Sequence, residues 1–222
     1  RFQPFSLLDQ PRNDSRAITE IFRSEGINEQ SRIGCLGWLA RLALAGVCVA
    51  VVLMAIAWAE VATIDVDSLA TRAPERTALM EQRIREAAEQ GRTLRIRRTW
   101  VPYEAISPHL RRAVLIAEDD AFFTHGGLDW NEIRESARRD LSAGRIARGG
   151  STITQQLAKN LWLGTERSLT RKFKEMILAV RLERALPKRR IFELYLNSIE
   201  WGDGVFGADA AARHWFHTSA SA

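Results

Sequence analysis

The sequence predicts a mainly α-helical protein in which one membrane-spanning helix precedes a helical extracytoplasmic domain. Three observations carry that expectation. Leu42 to Ala59 reads LALAGVCVAVVLMAIAWA, about 18 residues without a charge and the minimum length for a spanning helix. From Pro108 onward apolar residues recur at helical spacing in segment after segment. Strand-like alternation is confined to one loose stretch, Thr93 to Val101.

The elements follow in order. Residues 1–32 are polar, mixed in charge and carry Pro4, Pro11 and Gly26, so a poorly ordered cytoplasmic tail is expected. The chain opens on Arg1 rather than Met, as a processed or trimmed segment would. The span is placed at residues 33–59. Its eight strongly apolar residues between Leu42 and Ile56 are worth roughly −2.4 to −4.8 kcal/mol on the insertion scale. Arg41 can snorkel near one end, and Trp38 and Trp58 sit where interface anchors belong. The run is too long and too far from the start for a signal peptide. Arg32 and Arg41 precede it while Glu60, Asp65 and Asp67 follow. Positive flanks stay inside, so the bulk of the chain is expected outside the cytoplasm.

Residues 60–98 form a juxtamembrane segment containing a helix from Pro74 to Glu89, with Pro74 in its first turn and Gly91 at its end. The main domain is placed at 99–222. Its first helix starts at Pro108, with Leu110, Ala113, Val114 and Ala117 on one side. Asp129 can cap a second helix, with Trp130, Ile133, Ala137 and Leu141 on one face and Gly144 close behind its end. Thr152 to Leu163 is a third. Ser168 or Thr170 caps a fourth, which ends near Leu186 before Pro187. Pro187 opens a fifth, Lys188 to Asn197. Gly202, Gly204 and Gly207 mark a loop, and Asp209 to Phe216 is the last helix.

Charge and cysteines bound the function. A formal charge of +5 and a pI near 9.7 suit an anionic partner without choosing one. Cys35 and Cys48 lie in the apolar run, where packing residues are expected and no disulfide framework or metal spacing exists.

Four stretches carry candidate chemistry. The first is Glu118-Asp119-x-x-Phe122-x-x-His125-x-Gly127. Glu118 closes an apolar helix, so partial desolvation is expected to raise its pKa toward proton-transfer use. The bland alternative is a charged helix end. The second is GGSTITQQLAKN, Gly149 to Asn160. Paired glycines before a helix N-terminus make an anion cradle, and Gln155, Gln156, Lys159 and Asn160 suit sugar hydroxyls and phosphate. It is not a Walker loop. A capping turn with a solvated face is the alternative.

The third stretch is Arg167-Ser-Leu-Thr-Arg-Lys-Phe-Lys-Glu175. Arg171 and Lys172 stand over Glu175 at helical spacing, with Phe173, Met176, Ile177 and Val180 expected on the packed face. These are either surface ion pairs of about 0.3–0.5 kcal/mol each or a pyrophosphate-binding cluster. The fourth runs through Ile191, Leu194, Tyr195 and Asn197 to Glu200-Trp-Gly-Asp-Gly-Val-Phe-Gly207, read as support behind a cleft.

In this order and spacing the stretches resemble the peptidoglycan glycosyltransferases, and among them the monofunctional biosynthetic transglycosylases of Gram-negative bacteria. The resemblance begins around Met80 and covers roughly two thirds of the chain, through Trp100-Val-Pro-Tyr-Glu-Ala-Ile-Ser-Pro. It implies a lysozyme-like domain that polymerises lipid II at the outer face of the cytoplasmic membrane. Glu118 matches the family's general base, which takes the proton of the acceptor GlcNAc 4-hydroxyl. Attack inverts the donor anomeric carbon, and undecaprenyl pyrophosphate leaves. Glu175 matches the second catalytic glutamate. Ser151, Gln155, Gln156 and Lys159 match substrate contacts. Arg167, Arg171, Lys172 and Lys174 match the basic group at the pyrophosphate, and Phe122 and His125 match positions that shape the cleft. The resemblance further implies Mg²⁺ or Mn²⁺ assistance, no organic cofactor, and cell-wall synthesis or division proteins as partners. Family domains continue past the equivalent of His217–Ala222 with an alanine- and leucine-rich helix and a proline-containing segment, so the C-terminal part is expected to be missing here. No penicillin-binding transpeptidase domain fits in the chain.

Two other classes compete. One is a catalytically weak membrane scaffold that binds lipid II. The other is a lytic transglycosylase, from which GGSTITQQ and the basic stretch around Glu175 point away. Nucleic-acid binding is disfavoured, because the basic residues are interleaved with acids.

Overall fold

The computed structural model describes residues 15–143, 150–166 and 168–222, with side chains from 37 onward except those of 137 and 140–143. The chain divides into two compact units, 1–52 and 53–222. The described part of the first is helical. It belongs to α1 (Ser15–Ala62), which begins at Ser15, well before the expected start of the span. The stretch expected to be an unordered tail is therefore helical from Ser15, and residues 1–14 lie outside the described residues. Gly37–Ala62 is long and apolar enough to cross a membrane, with a mean hydropathy of 2.6. Only 6% of its most apolar window is buried, unlike the core helix of a soluble domain. Cys48 is an exposed free thiol rather than a packing residue, and the Cys35 side chain lies outside the described residues.

The second unit is mainly α, as expected, and takes in residues 60–98, set apart in the sequence as a juxtamembrane segment, together with 99–222. Its helices are α2 (Ala78–Glu89), α3 (Pro108–Glu118), α4 (Trp130–Ala143), α5 (Ile153–Ala158), α6 (Leu169–Ala185), α7 (Lys188–Ser198) and α8 (Ala208–Phe216). A π-helical turn, Lys159–Leu163, continues α5. Three short strands, β1 (Arg97–Arg98), β2 (Glu200–Gly202) and β3 (Val205–Phe206), form a sheet in the order β1-β3-β2. β1 runs parallel and β2 antiparallel to β3. The expected glycine loop is thus a hairpin, turned at Gly204 with φ +72°.

Local chemistry explains most boundaries. Thr77, not Pro74, starts α2, because its Oγ1 accepts the Met80 N–H at 3.2 Å. Asp129 Oδ1 accepts the N–H groups of Asn131 and Glu132 and caps α4 as expected. In that helix Trp130 is exposed rather than packed, and the Ala137 and Leu141 side chains and Gly144 lie outside the described residues. Ser168 rather than Thr170 caps α6, its Oγ accepting from Arg171 N–H at 3.0 Å. Pro187 separates α6 from α7.

The core is built on α5, α6 and α7, with Ile153, Leu157, Leu178, Leu182, Ile191, Phe192 and Leu194 fully buried. On α6 the buried stripe is Glu175, Leu178, Ala179 and Leu182, an i, i+3, i+4, i+7 pattern. The sequence assigned the packed face to Phe173, Met176, Ile177 and Val180. Only Ile177 of those four is buried, and an acid occupies the core-facing row instead.

Three arginines fix the segment that follows α1. Arg181 donates to the carbonyls of Val61 and Ile64. Arg190 donates to those of Leu69 and Arg72, and Arg98 to those of Pro74 and Glu75. Val61 and Val66 are buried at 2% exposure each, so the segment is packed as well as bonded.

Candidate active site

Glu118 is the last residue of α3, and its carboxylate is exposed. The desolvation expected from the apolar helix does not occur, because the stripe before it faces outward. Ala113 and Ala117 are exposed and only Val114 is buried. That stripe, with Leu110, lines a cavity of about 330 Å³ together with Tyr195, Ile199 and Trp201. On its other side Glu118 borders a polar cavity of about 320 Å³ that includes Asp120, Asp129, Glu132, Ser151 and Thr152. The carboxylate thus stands on a ridge between an apolar and a polar hollow.

One side of Glu118 is held. Gln156 Nε2 donates to its Oε2 at 2.9 Å, and Tyr195 OH donates to Gln156 Oε1 at 3.2 Å. Tyr195 is buried, and burial first, then the charges of Glu118 and Asp119, hold its phenol pKa above the usual value. The hydroxyl therefore remains a donor, which fixes the Gln156 amide with its nitrogen toward the acid. Oε1 of Glu118 has no partner among the described residues. Tyr195 was read from the sequence only as support behind a cleft; its place two turns along α7 gave no sign of the hydroxyl contact.

Asp119 does different work. Its side chain is 5% exposed. Oδ2 accepts the Ile153 N–H at 2.9 Å, at the start of α5, and His125 Nε2 lies 3.0 Å from the carboxylate. His125 Nδ1 accepts the Gly127 N–H at 3.1 Å, so the ring proton sits on Nε2 and is donated to Asp119. His125 therefore positions Asp119 and does not face the cleft. Gly127 has φ +89°, and a Cβ there would lie 3.1 Å from the Ala179 carbonyl, so only glycine fits. Phe122 is also withdrawn: it is fully buried, with the Lys188 ammonium 4.2 Å from its ring centroid.

The expected anion cradle at the start of α5 is filled by the protein itself. Thr152 and Gln155 form a reciprocal capping box, and Asp119 takes the Ile153 N–H. Gln155, 1% exposed, is spent on that cap and does not reach a cleft. Gly149 lies outside the described residues, whereas Gly150 has φ +82°. Ser151 does border the polar cavity, and its Oγ accepts from Lys172 Nζ at 2.9 Å.

Lys172 links this cavity to the second glutamate. Glu175 is 2% exposed. Arg171 donates to its Oε2 at 2.7 Å and Lys172 to its Oε1 at 2.5 Å. Of the two alternatives left open for these pairs, simple surface pairs do not describe them: the acid is buried while Arg171 and Lys172 stay partly exposed, because Glu175 occupies the core row of α6. Burial pushes the Lys159 ammonium below the usual lysine pKa; Glu175 opposes that, Arg171 and Lys172 reinforce it, and Glu118 opposes it. Both glutamates thus act on one half-buried lysine. Lys174 does not join them. It lies off the Glu175 row and pairs with Glu60 at the end of α1. Arg167 lies outside the described residues.

Asn197, fully buried, is the expected support. Its Oδ1 accepts the Val101 N–H and its Nδ2 donates to the Val101 carbonyl, both at 2.9 Å. Among the described residues no three carboxylate, histidine or cysteine side chains converge to hold a metal ion. Glu175 is already committed to two cations.

The chain was compared with known proteins. The transglycosylase family model matches residues 85–222. A protein of Azoarcus sp. (strain BH72) named biosynthetic peptidoglycan transglycosylase is 49% identical over 151 residues, 68% of this chain and 65% of that protein. Another so named, from Laribacter hongkongensis (strain HLHK9), is 49% identical over 148 residues, covering 67% and 65%. A third, from Neisseria meningitidis serogroup C (strain 053442), is 47% identical over 149 residues, covering 67% and 64%. The match spans slightly less than two thirds of the length of these relatives. With a matching family model over most of the chain and relatives near half identity, this protein belongs to the transglycosylase family.

Proposed function

We propose that the protein polymerises lipid II into peptidoglycan glycan strands, anchored by α1 with its domain on the periplasmic face of the inner membrane. The observation that carries this reading is the path from the Glu118 cavity through Ser151 and Lys172 to the buried Glu175. It puts a free carboxylate and a fixed cluster of cations in one constellation, as base-assisted transfer from a pyrophosphate requires.

In this reading the free Oε1 of Glu118 takes the proton of the acceptor GlcNAc 4-hydroxyl. Gln156, backed by Tyr195, holds Oε2 still while that happens. The hydroxyl oxygen bonds to the donor anomeric carbon with inversion, and the bond to the undecaprenyl pyrophosphate oxygen breaks. Arg171, Lys172 and Lys159 receive the charge that develops on the leaving group. Glu175 orders the first two: one acid between two cations fixes both heads and leaves the cluster net positive. A positioned base supplies about 10²–10⁴-fold in rate, and holding two lipid-borne sugars together supplies much of the rest. The two hollows flanking Glu118 provide a place for each partner. Mg²⁺ or Mn²⁺ would supply further charge neutralisation at a pyrophosphate. The described residues do not form a ready site for it, and no step here depends on it.

The test is polymerisation of labelled lipid II by the purified full chain in detergent or liposomes. Glycan strands and one undecaprenyl pyrophosphate per bond formed are expected. Lipid II binding without any polymer would replace this reading with a scaffold, and release of anhydro-muropeptides from sacculi would replace it with a lytic enzyme.

A further inference from the structure

A concentration of cationic side chains lies away from the Glu118–Glu175 constellation. It surrounds an open cavity of about 720 Å³ between β1 and α8. Arg95, Arg97, Arg98, Arg213, His214 and His217 line it, and among the described residues no aspartate or glutamate does.

The partners of these cations leave most of the charge unanswered. Arg213 alone has an acid, donating to Asp209 Oδ2 at 2.7 Å. Arg97 Nη1 donates to Nδ1 of His214, not to an acid, at 3.0 Å. Arg95 has no side-chain partner among the described residues. Arg98 is held by carbonyls only, those of Asn197, Pro74 and Glu75, with Trp100 stacked 5.2 Å from its guanidinium carbon. Its Nη2 is buried without a partner, and burial lowers its pKa. Arg98 therefore borders the hollow, but its guanidinium is spent on residues that do not line it. The guanidinium groups of Arg95, Arg97 and Arg213 gather around one hollow, and such forks match the oxygens of a phosphate group.

We infer that the cavity between β1 and α8 is a binding site for a phosphate-type oxyanion. An anionic phospholipid head group and free inorganic phosphate share this chemistry. The site stands on residues outside the proposed catalytic constellation, so it is independent of that reading.

The test uses the full chain in non-ionic detergent micelles, titrated calorimetrically at fixed ionic strength. One arm adds inorganic phosphate; the other adds micelles doped with phosphatidylglycerol. The variants are Arg95→Ala/Arg97→Ala, both exposed residues, and His214→Ala/His217→Ala; an unchanged melting temperature certifies each fold. The expected result is saturable one-site binding in at least one arm, weakened tenfold or more by the arginine variant. Binding in the phosphate arm identifies a soluble ligand, and binding confined to the lipid arm identifies a head group. No saturable binding in either arm, or binding that the arginine variant leaves unchanged, overturns the inference.

Discussion

Glu118 and Glu175 are both glutamates on helices of one domain, yet their settings are opposite. Glu175 sits in the core row of α6, 2% exposed and claimed by Arg171 and Lys172. Glu118 ends α3 in the open, with one oxygen held by Gln156 and the other free among the described residues. Asp119, its immediate neighbour, resembles Glu175 instead, buried and bonded to His125 and the start of α5. Identity of side chain therefore says little about role. The acid available to accept a proton is the one the fold leaves unspent.

The largest expected effect tests the spent side of that contrast. Glu175→Gln leaves Arg171 and Lys172 without their acid. Breaking a buried pair costs about 3–5 kcal/mol, and the lower end applies because the Lys172 side chain is 39% exposed. Urea denaturation should show that loss, together with weakened lipid II turnover; unchanged stability would mean Glu175 is not holding the cluster. Asp119→Asn comes next. It weakens the joint between α3 and α5, at an expected cost of about 1–3 kcal/mol for disturbed buried polar partners. Its activity should fall in step with the folded fraction, and full stability with no activity would make Asp119 itself catalytic.

Tyr195→Phe removes one hydrogen bond from Gln156 and keeps the ring that lines the apolar hollow. A loss of about 0.5–1.5 kcal/mol corresponds to roughly a 2- to 10-fold fall in kcat, with KM little changed. A rise in KM alone would place Tyr195 in substrate binding. The smallest effect concerns pH. Burial works against the Asp209 carboxylate, but hydrogen bonds from Arg213 and the Ala220 N–H outweigh it and hold the pKa below the ordinary carboxyl value. Its contribution is therefore present above about pH 4 and lost as pH falls through the depressed folded value. Asp209→Asn should flatten that part of the stability–pH curve; a curve unchanged in shape would contradict the assignment.

Much of the architecture was legible because its signals are local. Pro108, Asp129, Ser168 and Pro187 mark helix starts through chemistry within a few residues of each boundary. The site was legible as a set of motifs but not as a geometry. Asp119 fills the turn at Ile153 across 34 residues of chain, and no local pattern announces such a contact. The α6 row was misjudged because the packed face was drawn from apolar residues alone, Phe173, Met176, Ile177 and Val180. Counting Glu175 with Leu178, Ala179 and Leu182 would have revealed its burial. The outward turn of Ala113 and Ala117 was hidden for the opposite reason, since an apolar stripe reads as core whether or not a partner covers it.

The most direct measurement is the single-turnover rate of lipid II coupling for Glu118→Gln beside the unaltered chain, with both melting temperatures recorded. The exposed amide should leave stability within about 0.5 kcal/mol and lower the rate by about 10²–10⁴-fold. A variant that couples lipid II at the original rate would contradict the assignment of Glu118 as the base.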